Sequence, residues 1–397
     1  MKLAWNPSIP EIFLIFLRLG ISSFGGPVAH LGYFRREFVE KREWLTEQAY
    51  SDLVSLCQFL PGPASSQVGI ALGLSRGSIP GAVAAWLGFT LPSALLLVLF
   101  GLGLPFLGEI HGNGWLHGLK VVSVAVVAQA IWVMGKPLAR DRLRMAVVLA
   151  SAATATLFPS SAGQICAIAG GGIAGLALPG ASIVPPHSPL RIAVGRATGT
   201  ALLALFFILL IALPFLATES GSYGIRLFAS FYRAGALVFG GGHVVLPLLQ
   251  SQVVPSGWVS NDAFLAGYGA AQAVPGPLFT FSAYLGAVSS GSPSGWIGAS
   301  IALVAIFLPS FLLVVGILPF WEELRRIEAL QKAMPGINAA VVGLLLAAFY
   351  NPAWKTAILS GTDFFMAAAV FLLLTFRKAQ PWLMVIFTAF LAEALSR

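Results

Sequence analysis

Two stretches of this chain carry the same ordered set of residues, and they decide the fold. The first opens with Arg18-Leu19-Gly20-Ile21-Ser22-Ser23-Phe24-Gly25-Gly26, passes Trp44, and closes with Gln58-Phe59-Leu60-Pro61-Gly62-Pro63. The second opens with Arg233-Ala234-Gly235-Ala236-Leu237-Val238-Phe239-Gly240-Gly241, passes Trp258, and closes with Gln272-Ala273-Val274-Pro275-Gly276-Pro277. The offset is 215 residues at the arginines and 214 at the tryptophans and the Pro-Gly-Pro motifs. Such a repeat predicts one ancestral unit that was duplicated.

The composition excludes a soluble protein. Hydrophobic residues make up 57% of the 397 residues, charged residues only 10%, and the mean hydropathy is +0.86. Apolar runs such as residues 81–106 and 193–217 have the roughly 20 residues that a helix needs to cross a bilayer. The net charge of +8 therefore indicates cytoplasmic loops and contacts with the lipid bilayer, and we expect no nucleic-acid partner.

The residue types that bind metals, redox groups or nucleotides are sparse. The two cysteines, Cys57 and Cys166, both lie in apolar runs, and the five histidines are scattered along the chain. The sequence has no Gly-x-x-x-x-Gly-Lys-Ser/Thr loop for a nucleotide phosphate. We therefore expect no metal, no cofactor and no enzymatic activity.

The apolar segments form two matching series, which predicts an all-α polytopic membrane protein of roughly 10–13 helical segments. The motif Leu91-Pro92-Ser93 matches Leu308-Pro309-Ser310, in addition to the stretches above. We assign residues 1–190 to the first repeat, 191–222 to a connecting helix and loop, and 223–397 to the second repeat. The Pro-Gly-Pro motifs are expected to produce broken or hairpin helices, because two prolines in three residues end a helix.

Basic residues reverse their distribution between the two halves. Residues 35–42 contain four Lys or Arg and their counterpart, residues 250–261, contains none; residues 108–117 contain none, whereas their counterpart contains Arg325, Arg326 and Lys332. By the positive-inside rule, the two halves are then inserted upside down relative to each other. Inverted repeats of this kind build secondary transporters, with the binding site between the halves near the midplane.

The number of membrane crossings stays open. If both Pro-Gly-Pro segments are hairpins, four segments separate the basic loop near residues 136–144 from the uncharged loop at 250–261, whereas an inversion needs an odd number. Either one of the segments at 145–158, 163–178 and 192–217 does not span the membrane, or the hairpin interpretation is wrong.

Arg18 and Arg233 are the first candidates for a substrate site. Both lie in apolar surroundings, where a charged side chain is costly and normally faces the protein interior or a water-filled cavity. A guanidinium group suits a tetrahedral oxyanion, because it donates two parallel hydrogen bonds. The alternatives are that the arginines extend to lipid headgroups or pair with a nearby carboxylate such as Glu11.

The backbone breaks supply the other candidates. Glycine pairs let a helix unwind, and the helix that starts after Pro-Gly-Pro presents free N–H groups and its positive dipole end. The alternatives are close helix packing through small residues and a bare hairpin turn. The candidate substrate-binding residues of this kind are Gly25, Gly26, Gln58, Pro61, Gly62, Pro63, Ser65 and Ser66 in the first half, and Gly240, Gly241, Gln272, Pro275, Gly276, Pro277 and Thr280 in the second.

Three ionisable residues differ between the halves and are candidates for ion coupling. Asp52, His243 and Lys120 correspond in the repeat to residues without an ionisable side chain, namely Ala266, Val28 and Asn338. Such asymmetric groups are candidates for the carrier of a coupling proton. The alternative is that each is an ordinary residue at the edge of a loop.

The paired motifs also resemble those of a known family. They include Phe24-Gly25-Gly26-Pro27-Val28-Ala29-His30, Trp44-Leu45-Thr46-Glu47, Gln58–Gln67 around the first Pro-Gly-Pro, and Phe239-Gly240-Gly241-Gly242-His243-Val244-Val245-Leu246-Pro247. At these residues the chain resembles the chromate ion transporter family in its long-chain form with two homologous domains. The resemblance implies an inner-membrane carrier with antiparallel domains that exports chromate and confers chromate resistance. Where we expect an acidic residue after the second-half Leu-Pro motif, this chain has Gln250-Ser251-Gln252, which leaves the coupling ion open.

These observations together predict a secondary transporter for a tetrahedral oxyanion. The two arginines would neutralise the dianion, and the halves would rock to give alternating access. Chromate and sulfate share charge and shape, so a sulfate carrier is the nearer alternative and a passive anion channel the more distant one. A monomer already contains both halves, and a homodimer is the other arrangement we consider.

Overall fold

A computed structural model of the chain describes residues 7–24, 26–111, 114–139, 141–158, 161–177, 194–239, 245–324, 327–377 and 379–395. These residues form helices, turns and bends without a strand, which confirms the prediction of an all-α protein. The first half contains α1 (Ile9–Ser22), α2 (Gly26–Phe34), α3 (Glu47–Phe59), α4 (Ala64–His111), α5 (Gly114–Leu138), α6 (Arg142–Leu157) and α7 (Ser161–Leu176). Helix α8 (Arg196–Glu219) follows.

The second half repeats the series. It contains α9 (Tyr223–Leu237), α10 (Val245–Val253), α11 (Asn261–Ala271), α12 (Phe281–Val288), α13 (Gly295–Ile317), α14 (Trp321–Leu324), α15 (Glu328–Ala348), α16 (Lys355–Ala357), α17 (Gly361–Phe376) and α18 (Pro381–Leu395). Shorter helical turns cover Arg35–Lys41, Leu278–Thr280, Leu318–Phe320 and Phe349–Trp354.

Several helices have the length and composition of membrane spans. Within the described residues, the stretches long and apolar enough are Ala64–Leu104, Gly114–Lys136, Arg196–Glu219, Gly295–Phe320 and Gln331–Ala357. The surface of α8 is itself apolar, since Phe207, Ile211 and Phe215 are more than half exposed. Apolar side chains on an outer surface indicate contact with lipid, because soluble proteins rarely expose a contiguous patch of this kind.

Helix α4 contains a break in its backbone. Gly77 (φ −141°, ψ 22°) and Ser78 (φ 52°, ψ −152°) leave the helical conformation. In the second half, a loop separates α12 from α13 at the corresponding position. The two segments of α4 pack closely at the break, since a Cβ built on Gly73 would lie 2.3 Å from the carbonyl oxygen of Gly81.

Each half packs its first helix on the helix that carries the Leu-Pro-Ser motif. A Cβ on Gly20 of α1 would lie 2.8 Å from the carbonyl oxygens of Gly88 and Phe89 in α4. A Cβ on Gly235 of α9 would lie 2.1 Å from the carbonyl oxygen of Ile306 in α13. Glycine is therefore required at both positions for the backbones to meet, and the two halves share this arrangement.

The last helix pair of each half packs on the other half. Helices α17 and α18 contact α5, whereas α6 and α7 contact α15. The contacts are close, because a Cβ on Gly118 of α5 would lie 2.6 Å from the carbonyl oxygen of Thr388 in α18, and one on Gly343 of α15 would lie 2.3 Å from that of Val148 in α6. The halves are thus interlocked around a common core.

Candidate functional site

Each Pro-Gly-Pro turn reaches across to the first helix of the other half. The backbone N–H of Gly62 donates to the carbonyl oxygen of Val238 at 2.7 Å, and that of Gly276 donates to the carbonyl oxygen of Ser23 at 2.9 Å. Ser23 and Val238 are the residues that cap the C-termini of α1 and α9. They correspond to each other in the repeat, as do the two glycines. The contacts are therefore reciprocal, as at an interface between two equivalent units.

Both turns require glycine. Gly62 and Gly276 have φ values of +126° and +95°, which L side chains rarely adopt. A Cβ on Gly62 would lie 2.5 Å from Oγ of Ser310, and a Cβ on Gly276 would lie 2.9 Å from Oγ of Ser93. Since the two serines come from the matched Leu-Pro-Ser motifs, each turn is packed against the opposite half in the same way.

New helical structure begins directly after each second proline. Helix α4 starts at Ala64, with the N–H of Gln67 donating to the carbonyl oxygen of Pro63 at 2.9 Å. The turn Leu278–Thr280 leads into α12, and the Thr280 hydroxyl donates to the carbonyl oxygen of Pro277 at 2.7 Å. Ser65, Ser66 and Thr280 are all buried at these helix starts.

A cavity of about 320 Å³ brings three predicted residues together. Gly26 of the first half lines it, together with Gln272 and Gly276 of the second. Gly26 has a φ of +76° and open space where a Cβ would lie. We call this space the first cavity. The described residues that line it carry no charged side chain.

Gln272 lines the first cavity and carries an unpaired hydrogen-bond donor. It caps the C-terminus of α11, and its Nε2 atom is buried without a hydrogen-bond partner among the described residues. An unpaired buried donor is unfavourable by about 1–3 kcal/mol, so an acceptor that reaches it is bound favourably. An oxyanion presents such acceptors.

Sequence reasoning missed three polar residues of this cavity. Gln129, Tyr33 and Gln380 line it beside the predicted residues. Gln129 could have been found as an amide inside the apolar stretch Gly114–Lys136. Its counterpart in the second half is the apolar residue Ala347. That signal identifies a polar group within a helix but does not say which cavity it reaches.

His30 is a further residue that sequence reasoning left out of the candidate site. Its side chain is 1% exposed, with Nε2 3.2 Å from the carbonyl oxygen of Ser23 and Nδ1 3.4 Å from Oγ of Ser65. The same Ser23 oxygen accepts the N–H of Gly276. His30 therefore connects the start of α4 to the contact between the second Pro-Gly-Pro turn and α1.

The structure does not bring the two arginines to the first cavity. Arg18 is exposed on α1, on the same side as Leu14 and Ile21, which are 58% and 56% exposed. Arg233 is half-buried on α9. Glu11 does not hold Arg18, because it accepts hydrogen bonds from the backbone N–H and the hydroxyl of Ser8 at the start of α1. The role of both arginines stays a prediction.

The remaining candidates lie apart from this cavity or outside the described residues. Gln58 is exposed at the end of α3, Asp52 is half-buried in α3, and Pro61 accepts a 2.7 Å hydrogen bond from Nε2 of Gln67. Lys120 of α5 pairs with the exposed Asp262 of α11 at 3.1 Å, which links the two halves. The candidates Gly25, Gly240, Gly241 and His243 lie outside the described residues.

Removing the amide of Gln272 tests the first cavity. We expect Gln272→Leu to lower oxyanion transport at least about tenfold, because the side chain keeps its size but loses the donor. The protein should still fold, since the Nε2 atom has no partner to lose within the described part of the chain. Initial rates of uptake into membrane vesicles, corrected for protein amount, measure the effect. The exposed Gln48 is the matched control, and an equal loss in Gln48→Leu would contradict this assignment.

Comparison with known proteins identifies the family. The family model for chromate transporters matches residues 10–176 and 225–393, once in each half. The chain is 29% identical to a chromate transport protein of Pseudomonas aeruginosa over 92% of this chain and 87% of the relative. It is 30% identical to a probable chromate transport protein of Synechococcus elongatus, over 86% and 84% of the two chains.

A further relative is a chromate transport protein of Cupriavidus metallidurans, 27% identical over 95% of this chain and 91% of the relative. No solved structure matches the chain significantly. Two family matches in one chain agree with the two-half repeat that the paired motifs predict. The chain belongs to the chromate transporter family, and it is a multi-pass membrane transporter rather than an enzyme.

Proposed function

We propose that this protein is a secondary active transporter that exports chromate across the inner membrane and thereby confers chromate resistance. The observation that carries the proposal is the pair of reciprocal contacts between the Pro-Gly-Pro turns and the first helices, Gly62 to Val238 and Gly276 to Ser23. Alternating access needs two equivalent contacts between the halves, because the contact on one side of the membrane opens while the contact on the other side stays closed.

The first cavity is the proposed substrate site in this scheme. Chromate would exchange part of its hydration shell for the Gln272 amide and for the other polar groups of the cavity, Gln129 and Tyr33. These donors are neutral, so the two negative charges need a separate source. Arg18 and Arg233 are the proposed source although neither lines the first cavity, because each lies one helical turn before the helix end that contacts the opposite Pro-Gly-Pro turn.

Contacts at one end of the molecule support the inverted arrangement. Lys120 pairs with Asp262, and Nε2 of His117 lies 2.7 Å from Oδ1 of Asp363. The start of α5 is thus beside the starts of α11 and α17. Two loops without Lys or Arg, 108–117 and 250–261, lead into α5 and α11. We infer that both loops lie on the side opposite the cytoplasm.

Transport into everted vesicles tests this function. Radiolabelled chromate uptake that needs an energised membrane, collapses with an uncoupler and resists excess sulfate is the expected result. Uptake abolished by equimolar sulfate would instead make the protein a sulfate carrier that chromate enters. Uptake that never exceeds the outside concentration would make it a passive anion channel, and vesicles that carry Gln272→Leu provide the control for site-dependent flux.

A further inference from the structure

A second cavity lies beside α15, the helix that corresponds in the repeat to α5 of the first cavity. It has a volume of about 200 Å³ and is lined by polar residues of α6, α7, α10 and the turn after α15, namely Thr156, Gln164, Gln250, Ser251 and Asn351. Leu344 and Ala347 line it where their counterparts Val126 and Gln129 line the first cavity. The repeat thus provides two related cavities whose polar residues differ.

Two glutamine side chains build a hydrogen-bonded wall for the second cavity. Gln164 and Gln250 are only 6% and 7% exposed. Nε2 of Gln164 donates to the carbonyl oxygen of Pro247 at 3.0 Å, and the Ser251 hydroxyl lies 3.2 Å from Oε1 of Gln164, to which it donates. Nε2 of Gln250 donates to Oδ1 of Asn261 at 3.1 Å. These bonds fix both amides in orientation.

The hydroxyl groups of this wall already donate their hydrogens to neighbouring oxygen atoms, but their own oxygen atoms can still accept hydrogen bonds. The Thr156 hydroxyl donates to the carbonyl oxygen of Ala152 at 2.8 Å, and the Ser251 hydroxyl also lies 2.9 Å from that of Leu248. Lone pairs remain on Oγ1 of Thr156, Oγ of Ser251, Oε1 of Gln250 and Oδ1 of Asn351. The hydrogens beside them are the second hydrogens of the two glutamine amides and those of the Asn351 amide. Two of these groups, Thr156 and Ser251, can therefore act only as acceptors, whereas the amides can also donate.

Three of the helix ends around the second cavity favour positive charge, whereas the start of α7, with Gln164 in its first turn, favours negative charge. Thr156 lies in the last turn of α6, Ser251 in the last turn of α10, and Ala347 in the last turn of α15. The C-terminus of a helix carries partial negative charge. After α15 the backbone leaves the helix at Asn351 (φ −135°, ψ 115°), and unwound backbone in a membrane helix provides carbonyl oxygens for a cation.

The chemistry of the lining selects the class of ligand. The described residues of the second cavity include no Asp, Glu, His, Lys or Arg, so it lacks a group that could carry a proton or neutralise an anion. Divalent cations are normally bound with the help of carboxylates. We propose that the second cavity binds a monovalent alkali cation through neutral oxygen atoms, and that this cation is coupled to oxyanion transport. The coupling rests on the proposed function, whereas the binding does not.

Thermal unfolding of the purified full-length protein in detergent tests the binding. Sodium chloride and potassium chloride are compared with choline chloride at equal ionic strength, without chromate. A saturable rise of the unfolding midpoint with Na⁺ or K⁺, beyond that with choline, is the expected result. Equal responses to the three salts would overturn the proposal and leave a water-filled polar cavity.

Two substitutions localise the response. We expect Thr156→Val and Ser251→Ala to weaken the apparent cation affinity at least about tenfold, because each removes an oxygen ligand at little change in size. Thr154→Val is the matched control, since Thr154 lies in the same helix with the same type of hydroxyl bond, 2.9 Å to the carbonyl oxygen of Ala150, but does not line the second cavity. Unchanged affinity in both test variants would overturn the proposed site.

Transport separates this inference from the proposed function. In proteoliposomes, a cation gradient should change the chromate flux of the parent protein, and Thr156→Val should reduce that dependence while Thr154→Val retains it. If chromate is transported but no cation response is found in either assay, this inference fails and the transport function stands. If the cation raises the unfolding midpoint but no chromate moves, the proposed function fails and the cation site stands.

Discussion

The Gly276→Ala variant is expected to lose chromate transport at least about tenfold, because the new methyl group is both strained and obstructed. Gly276 has a φ of +95°, and its Cβ would lie 2.9 Å from Oγ of Ser93 and 3.3 Å from the carbonyl oxygen of Phe89. Strain of about 1–3 kcal/mol and a similar overpacking term would displace the turn whose N–H donates to Ser23. The measurement is the initial rate of uptake, corrected for protein amount.

Two further variants show whether the effect comes from this contact. Gly257→Ala introduces the same methyl group at a φ of +72°, where a Cβ would meet nothing within 4 Å, so transport should be retained. The double variant Gly276→Ala/Ser93→Ala removes the nearest obstacle and should regain part of the rate. If the double variant and Gly257→Ala are both as inactive as Gly276→Ala, the contact with Ser93 is not the cause. Any strained turn would then impair the protein.

The equivalent substitution in the first half should be at least as damaging. A Cβ on Gly62 would lie 2.5 Å from both Nε2 of Gln67 and Oγ of Ser310, at a φ of +126°. The reciprocal arrangement thus predicts matching losses in Gly62→Ala and Gly276→Ala. A large difference between them would indicate that the two turns do not serve equivalent roles.

The helix breaks were predictable because their causes are local. Proline lacks an N–H and glycine tolerates positive φ, so Pro61-Gly62-Pro63 ends α3 and lets α4 begin at Ala64, whatever surrounds them. The duplication was predictable too, because it depends only on the order of residues along the chain.

The contents of the two cavities were not predictable in the same way. Gln129 and Gln164 are single amides within apolar helices, and such a helix has no polar face that shows where its amide points. Their neighbours come from the other half, since α5 packs on α17 and α18 whereas α15 packs on α6 and α7. The exchange of helix pairs is a tertiary property that neither the repeat nor the hydrophobic pattern encodes locally.

The arginines illustrate the limit of an argument from residue type alone. The repeat aligns Arg18 with Arg233, yet one is exposed beside Leu14 and Ile21 and the other is half-buried. The core side of α1 is formed by Ile12, Phe16 and Leu19. Because other positions of this helix are apolar as well, the sequence alone does not show which side of α1 faces the core. Equivalent positions in a repeat therefore share a backbone environment without sharing side-chain exposure.

Arg233→Ala is expected to lower chromate transport at least about tenfold, since it removes a positive charge that we propose neutralises the dianion. Arg233→Lys should retain part of the rate, because the charge stays but the paired donors of the guanidinium are lost. Arg18→Ala should show a loss of the same kind if the two arginines share the substrate charge. Initial rates at several chromate concentrations separate weaker binding from slower turnover.

The helix itself offers a matched control for this charge. Arg226 lies two turns before Arg233 in α9, on the same side of the helix, and its guanidinium is 6.0 Å from the ring of Tyr223. Arg226 is exposed near the start of α9, so Arg226→Ala removes an equal charge far from the end of the helix that contacts the Pro-Gly-Pro turn and should leave transport near the parent rate. Parent rates in both Arg18→Ala and Arg233→Ala would remove the arginines from the substrate site. The neutral donors of the first cavity would then hold the oxyanion without them.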